Sequence, residues 1–275
     1  MSTKQKNQKV VILCECAIMA ALATVLSMIK FLDLPYGGSV TAFSVVPLVV
    51  VSYRHGVKWG LITSFAFSLI QLLLGSSTLS YATSIVAAIA IIMLDYILAY
   101  TFVGISGIFR NLIKNPVAAA VTGTIMVCVI RYIFHVISGC TVWAGVSIPS
   151  SDGLLYSMSY NATYMLPETI INSAVVFWLF SCLNFGSVQI ERAKKQKKTV
   201  ANTLCSSAAV LSIMAAVIID AIAVFGKLQN AESGELDITL ISTVDLGFIG
   251  IVTAIGVALC IIFAIVSKLI SNKSK

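Results

Sequence analysis

Apolar windows of about 20 residues follow one another along nearly the whole of this 275-residue chain, and they leave little sequence between them. A segment of that length and composition crosses a bilayer as a helix, because lipid offers no partner for an open backbone hydrogen bond. The windows account for about eight spans and leave no room for a soluble domain. With 59% hydrophobic and only 11% charged residues, the chain reads as an all-α polytopic membrane protein whose function sits within or at the edge of the membrane.

The net charge of +7 does not point to nucleic acid, because the basic residues lie between apolar windows without interleaved aromatics. Topology accounts for them. If both termini are cytoplasmic, fifteen of the 18 basic residues fall on the inner side: three near the N-terminus, Arg54 and Lys58, Arg110 and Lys114, five in the linker Glu191 to Lys198, and Lys268, Lys273 and Lys275. The first window, Val10 to Ile29, is expected to remain as an uncleaved helix, since Glu15 interrupts what would otherwise be a signal-peptide core. Phe31 to Thr41, with Pro35 and Gly37-Gly38, is expected to be an external loop. Further spans are expected at Val40 to Tyr53, Trp59 to Leu74, Tyr81 to Phe109, Pro116 to about Gly139 and Tyr156 to Val188, with Cys140 to Leu155 as an external loop. Two more windows, about Val200 to Phe225 and Val244 to Val266, follow the basic linker and are joined by a loop carrying Glu232, Glu235 and Asp237. The domain plan is therefore residues 1–190, a linker at 191–199, and a two-helix extension at 200–275.

Ionisable groups within the spans are costly unless paired or facing a cavity, which makes them candidates for function. Asp95, Arg131 and Glu168 stand out. Counted inward at about 1.5 Å per residue, Asp95 and Arg131 reach similar depths and are expected to face each other across the fourth and fifth helices. His135 lies one turn from Arg131 on the same face. Two carboxylates against one arginine leave one surplus negative charge, and Tyr96, Trp143, Tyr156, Tyr160 and Tyr164 supply aromatic faces nearby. Such a site suits a flat ligand with a cationic ring. A proton relay through the same three charged residues, in a self-sufficient ion-coupled transporter, is the alternative. The sequence contains no phosphate-binding glycine loop of the G-x-x-x-x-G-K-[ST] type, no H-E-x-x-H and no G-x-S-x-G, so no enzymatic chemistry, cofactor or metal site is expected. The seven cysteines read as reduced core residues.

The ordered run Arg131-Tyr132, His135, Ser138-Gly139, Trp143, Leu155-Tyr156-Ser157, Tyr160-Asn161 and Tyr164-Met165-Leu166-Pro167-Glu168, preceded by Asp95-Tyr96, resembles the thiamine-specific substrate-binding components of energy-coupling-factor transporters. The resemblance covers about residues 10 to 190. It implies a six-helix bundle, here followed by two additional helices, that captures thiamine outside the cell membrane. Delivery would require an ATP-driven module made of a transmembrane coupling subunit and two ATPase subunits. It further implies that Asp95 faces the thiazolium, that Tyr96, His135, Trp143, Tyr156 and Asn161 contact the rings, and that Tyr36 replaces a tryptophan in the first external loop. Arg131, Tyr160, Tyr164 and Glu168 would contact or support the ligand. Ala17 and Ala21 form the A-x-x-x-A spacing such components turn toward the coupling subunit, where small residues permit close helix approach. A component specific for another vitamin or a thiamine precursor is the nearest alternative.

Overall fold

In the computed structural model, residues 3–34, 37–143, 153–186, 191–192, 200–229 and 237–273 are described. They form eight helices of ten residues or more: α1 (Thr3–Met28), α2 (Val46–His55), α3 (Val57–Leu74), α4 (Ile85–Asn111), α5 (Pro116–Thr141), α6 (Gly153–Cys182), α7 (Val200–Leu228) and α8 (Leu246–Lys273). All except α2 are long and apolar enough to cross a membrane. Their ends follow the local chemistry. Ser84 caps α4 by accepting from the Ala87 amide at 3.1 Å. Asn115 caps α5 through the amides of Val117 and Ala118, and Pro116 occupies the first turn, where its missing N–H costs nothing.

The window expected to be a second span divides into two structures. Lys30–Asp33 (β1) and Ser39–Thr41 (β2) pair antiparallel, so what reads as an external loop is a short hairpin that also takes in Val40 and Thr41. The chain then turns at Phe43, whose φ is 48°, and Pro47 opens α2. Ten residues of helix rise only about 15 Å, half the hydrocarbon thickness, so α2 does not span the membrane by itself. Gly56, with φ of 89°, makes the immediate reversal into α3, a conformation that a side chain would strain.

The core is drawn together by buried small residues. Along α1, Cys16, Ala20, Ala23 and Ser27 follow the helical period on the inner face, while Ala17 and Ala21 are exposed. Gly60 of α3 and Gly104 of α4 approach so closely that a Cβ on either would collide with the other's backbone. Ser52 donates to the Gly104 carbonyl at 2.5 Å and accepts from the Gly107 amide at 2.8 Å. Polar bonds between closely packed small residues are how membrane helices associate when surrounding lipid is as apolar as their own side chains.

Helix α4 is irregular. Ile85–Ile91 is α-helical, Ile92–Leu98 forms a wider π-type turn, and the remainder tightens to a 3-10 helix over Phe102–Asn111. Asp95 and Tyr96 lie in the wide turn, where the extra residue re-aims side chains, as such turns do at functional sites. Beyond α6, α7 packs on α6 and touches β1, and α8 packs almost entirely on α7. Asn202 donates to the Ser267 carbonyl at 2.7 Å, and Thr253 donates to Asp220 at 2.6 Å, bonding α7 to α8 at two heights. Gly256 allows their close contact, since a Cβ there would strike the Ala216 methyl. Cys14, Cys16, Cys128, Cys140, Cys205 and Cys260 carry free thiols. Residues 193–199, most of the basic linker, and Glu232 and Glu235 lie outside the described residues.

Candidate ligand-binding site

A cavity opens between α4, α5 and α6 beneath the hairpin. It is lined by Gly37 and Gly38 of the hairpin, Thr78 of the Ser76–Tyr81 turn, Asp95, Tyr96 and Tyr100 of α4, His135 and Gly139 of α5, Trp143, and Tyr160, Asn161 and Tyr164 of α6. Each helix contributes through its own periodicity. Tyr96 and Tyr100 are four residues apart, as are His135 and Gly139, and Tyr160 and Tyr164, so each pair stacks on one face of its helix.

Asp95 is the organising group. Its Oδ1 meets His135 Nδ1 at 3.0 Å, and its Oδ2 accepts from Ser138 Oγ at 2.7 Å and from the Trp143 indole N–H at 3.1 Å. The carboxylate thus fixes the orientation of both the imidazole and the indole. Tyr96 donates to the Gly75 carbonyl at 2.9 Å and meets Thr78 Oγ1 at 2.8 Å, tying the outer turn Ser76–Tyr81 to the cavity wall. On α6, Tyr164 donates to Asn161 Oδ1 at 2.5 Å, and Asn161 Nδ2 donates to the carbonyls of Ser157 and His135. The aromatic rings meet edge to face: Tyr160 and Tyr164 at 5.8 Å and 70°, His135 and Tyr164 at 6.3 Å and 67°. Tyr81 tilts against Trp143 at 5.8 Å.

Arg131 and Glu168 lie a turn below and do not line the cavity. They form a buried ion pair at 3.2 Å, and the guanidinium sits 4.7 Å from the centre of the Tyr100 ring. The expected approach of Asp95 to Arg131 is therefore replaced by two separate pairs, Asp95 with His135 and Arg131 with Glu168. The π-type turn sets Asp95 against the outer part of α5, and the Tyr100 ring covers the arginine. Glu168, next to Pro167, bonds to side chains of other elements, Arg131 and Thr41, rather than to the backbone freed by the proline. Because Arg131 is matched by Glu168, Asp95 is the only acidic side chain on the cavity wall among the described residues.

Asp95, Tyr96, His135, Trp143, Tyr160, Asn161 and Tyr164 are all brought to the cavity. Tyr156 is buried in the core, 8% exposed, and is not on the wall. Tyr36 lies outside the described residues. Tyr100, Thr78, Ser138 and the glycine pair of the hairpin were not anticipated as site residues; the four-residue spacing from Tyr96 is the signal that points to Tyr100. No cluster of metal-binding side chains occurs among the described residues.

The family model described as "Thiamine transporter protein (Thia_YuaJ)" matches residues 13–186. Thiamine transporter ThiT of Bacillus subtilis (strain 168) is 33% identical over 186 residues, which covers 64% of this chain and 93% of that protein. Thiamine transporter ThiT of Lacticaseibacillus paracasei is 24% identical over 189 residues, covering 62% and 88%. A solved structure of ThiT from Listeria monocytogenes superposes with a TM-score of 0.52 at 26% identity over 63% of this chain and 94% of that one. The family match begins in α1 and ends just after α6, so α7 and α8 lie beyond it.

Proposed function

This chain belongs to the thiamine transporter protein family, and we propose that it captures thiamine in the cavity between α4, α5 and α6. The observation that carries this placement is the carboxylate of Asp95, the one acidic group among the described residues of an otherwise aromatic wall, with the neighbouring arginine already neutralised by Glu168. Thiamine joins a neutral aminopyrimidine to a cationic thiazolium. The cationic ring would take the position facing Asp95, where charge attraction and the faces of Tyr96, Trp143 and His135 act together. Asn161 and Tyr164 present polar edges suited to the aminopyrimidine. Tyr156 would support the wall from behind.

In this reading α2, together with the hairpin and the turn before it, completes an eighth crossing beside the seven long helices, so that both termini are cytoplasmic. The protein is then a membrane binding subunit that delivers thiamine only when joined to a transmembrane coupling subunit and two ATPase subunits. The exposed Ala17 and Ala21 of α1 would meet the coupling subunit. At about 100° per residue, both lie about 160° from Met19, which faces the groove toward α7. The two-helix extension therefore leaves the alanine face open.

The test is intrinsic fluorescence. The chain has three tryptophans, and Trp59→Phe with Trp178→Phe leaves Trp143 as the sole reporter. Saturable quenching by thiamine is expected. A folded protein whose emission does not respond would overturn the placement.

A further inference from the structure

The hairpin that roofs the cavity is fixed at two points of different character. At its tip, Gly38 lies against Tyr160 and Tyr164, where a Cβ would stand 2.9 Å from the Tyr160 hydroxyl oxygen. At its base, Thr41 of β2 donates to Glu168 Oε1 at 2.8 Å across 127 residues of sequence. The second oxygen of Glu168 accepts from Arg131 Nη1 at 3.2 Å, and Arg131 stacks on Tyr100, whose ring lines the cavity. Thr41, Glu168 and Arg131 are all buried. One carboxylate therefore divides its two oxygens between the roof and the floor of the site. Tyr160, Tyr164 and Glu168 follow each other at four-residue intervals along α6, so tip and base rest on a single face of one helix.

We propose that Thr41 is a positioning residue for thiamine exchange: its bond to Glu168 latches the hairpin over the cavity and sets how often the roof opens. The inference rests on the proposed thiamine site, though the latch itself is a property of the protein without ligand. The hydroxyl suits this use. A hydrogen bond from a neutral donor to a buried carboxylate is stronger than one between neutral groups, so losing it shifts the opening equilibrium. The ion pair beneath can stay intact, because Arg131 uses the other oxygen. Thr41 also meets Ser44 Oγ at 2.8 Å, which holds the hydroxyl in place at the start of the turn.

A latch present both with and without ligand makes a kinetic prediction that a contact residue does not. Entry and release both need the roof open, so removing the latch should raise both rates and leave the equilibrium constant nearly unchanged. The test compares Thr41→Val, which keeps the shape and removes the hydroxyl, with Thr41→Ser, which keeps it. Stopped-flow thiamine association and dissociation should both accelerate about tenfold in Thr41→Val, with Kd within about twofold of the parent and Thr41→Ser behaving as the parent. Unchanged rates, or a raised Kd at unchanged association rate, would overturn the latch. Hydrogen exchange of the hairpin amides, measured without thiamine, is the second readout. The Leu34 amide bonds to the Gly38 carbonyl and the Ala42 amide to the Ile29 carbonyl. Both should exchange faster in Thr41→Val than in Thr41→Ser. If the parent protein fails to bind thiamine while this difference is present, the site assignment falls and the latch stands; if exchange is the same in both variants, the latch falls.

Discussion

The Arg131–Glu168 pair gives a quantitative expectation for stability. Glu168→Gln would leave a guanidinium, 3% exposed, inside the membrane without its counter-charge. Arg131→Met would leave the carboxylate in the same position. Breaking a buried pair from one side costs about 3–5 kcal/mol, because the remaining charge has lost both water and partner. The Arg131→Met/Glu168→Gln double variant has no uncompensated charge, and its glutamine carbonyl can still accept from Thr41. It should therefore be more stable than either single variant, with a coupling energy of about 2–3 kcal/mol in the cycle. Thermal unfolding in one detergent, followed by tryptophan emission, measures this. For a chain of this size, each kcal/mol moves the midpoint by about 2–4 °C, so the single variants should fall by roughly 6–20 °C and the double by much less. A double variant as unstable as the worse single, or single variants within about 2 °C of the parent, would refute the pair as described.

Three further expectations follow from close contacts. Gly38→Ala places a methyl against Tyr160 and Tyr164 and should weaken thiamine binding about tenfold in a fluorescence titration, with the melting temperature nearly unchanged. Trp143→Phe removes an indole donor held 3.1 Å from Asp95 and should reduce affinity by about 1 kcal/mol or more in calorimetry. Gly256→Val drives a side chain into Ala216 and should destabilise the α7–α8 packing by about 1–3 kcal/mol, measured by thermal unfolding. Because those helices lie outside the family match, thiamine affinity should stay within about twofold.

Much of the architecture can be read from apolar length and charge placement, since lipid leaves the backbone few choices. The windows at Pro116 and Val200 reappear as α5 and α7 with starts at the expected residues. The hairpin could not be read in this way. Val40 extends an apolar run, yet Val40 and Thr41 pair with β1, and periodicity does not separate a short buried strand from the start of a helix. Seven of the expected residues line the cavity, legible because polar and aromatic side chains are few and dense in this region, whereas Tyr156 is buried away from the wall and Tyr100 and Thr78 join it without such a signal of density. Their pairing was not: depth alone set Asp95 opposite Arg131, and a one-residue widening of α4 redirected it to His135. Spacing along α6 places Glu168 on the face of Tyr164, but only the folded chain brings Thr41 to it.

Asp95 is proposed as the negative charge that meets the cationic ring. Isothermal calorimetry of the parent and Asp95→Asn, with thiamine and with a neutral analogue carrying carbon in place of the thiazolium nitrogen, tests this most directly. The variant should lose at least about tenfold in thiamine affinity, corresponding to about 1.5–3 kcal/mol, while the neutral analogue binds both proteins alike within a few-fold. Equal thiamine affinity in the parent and in a folded Asp95→Asn would contradict it.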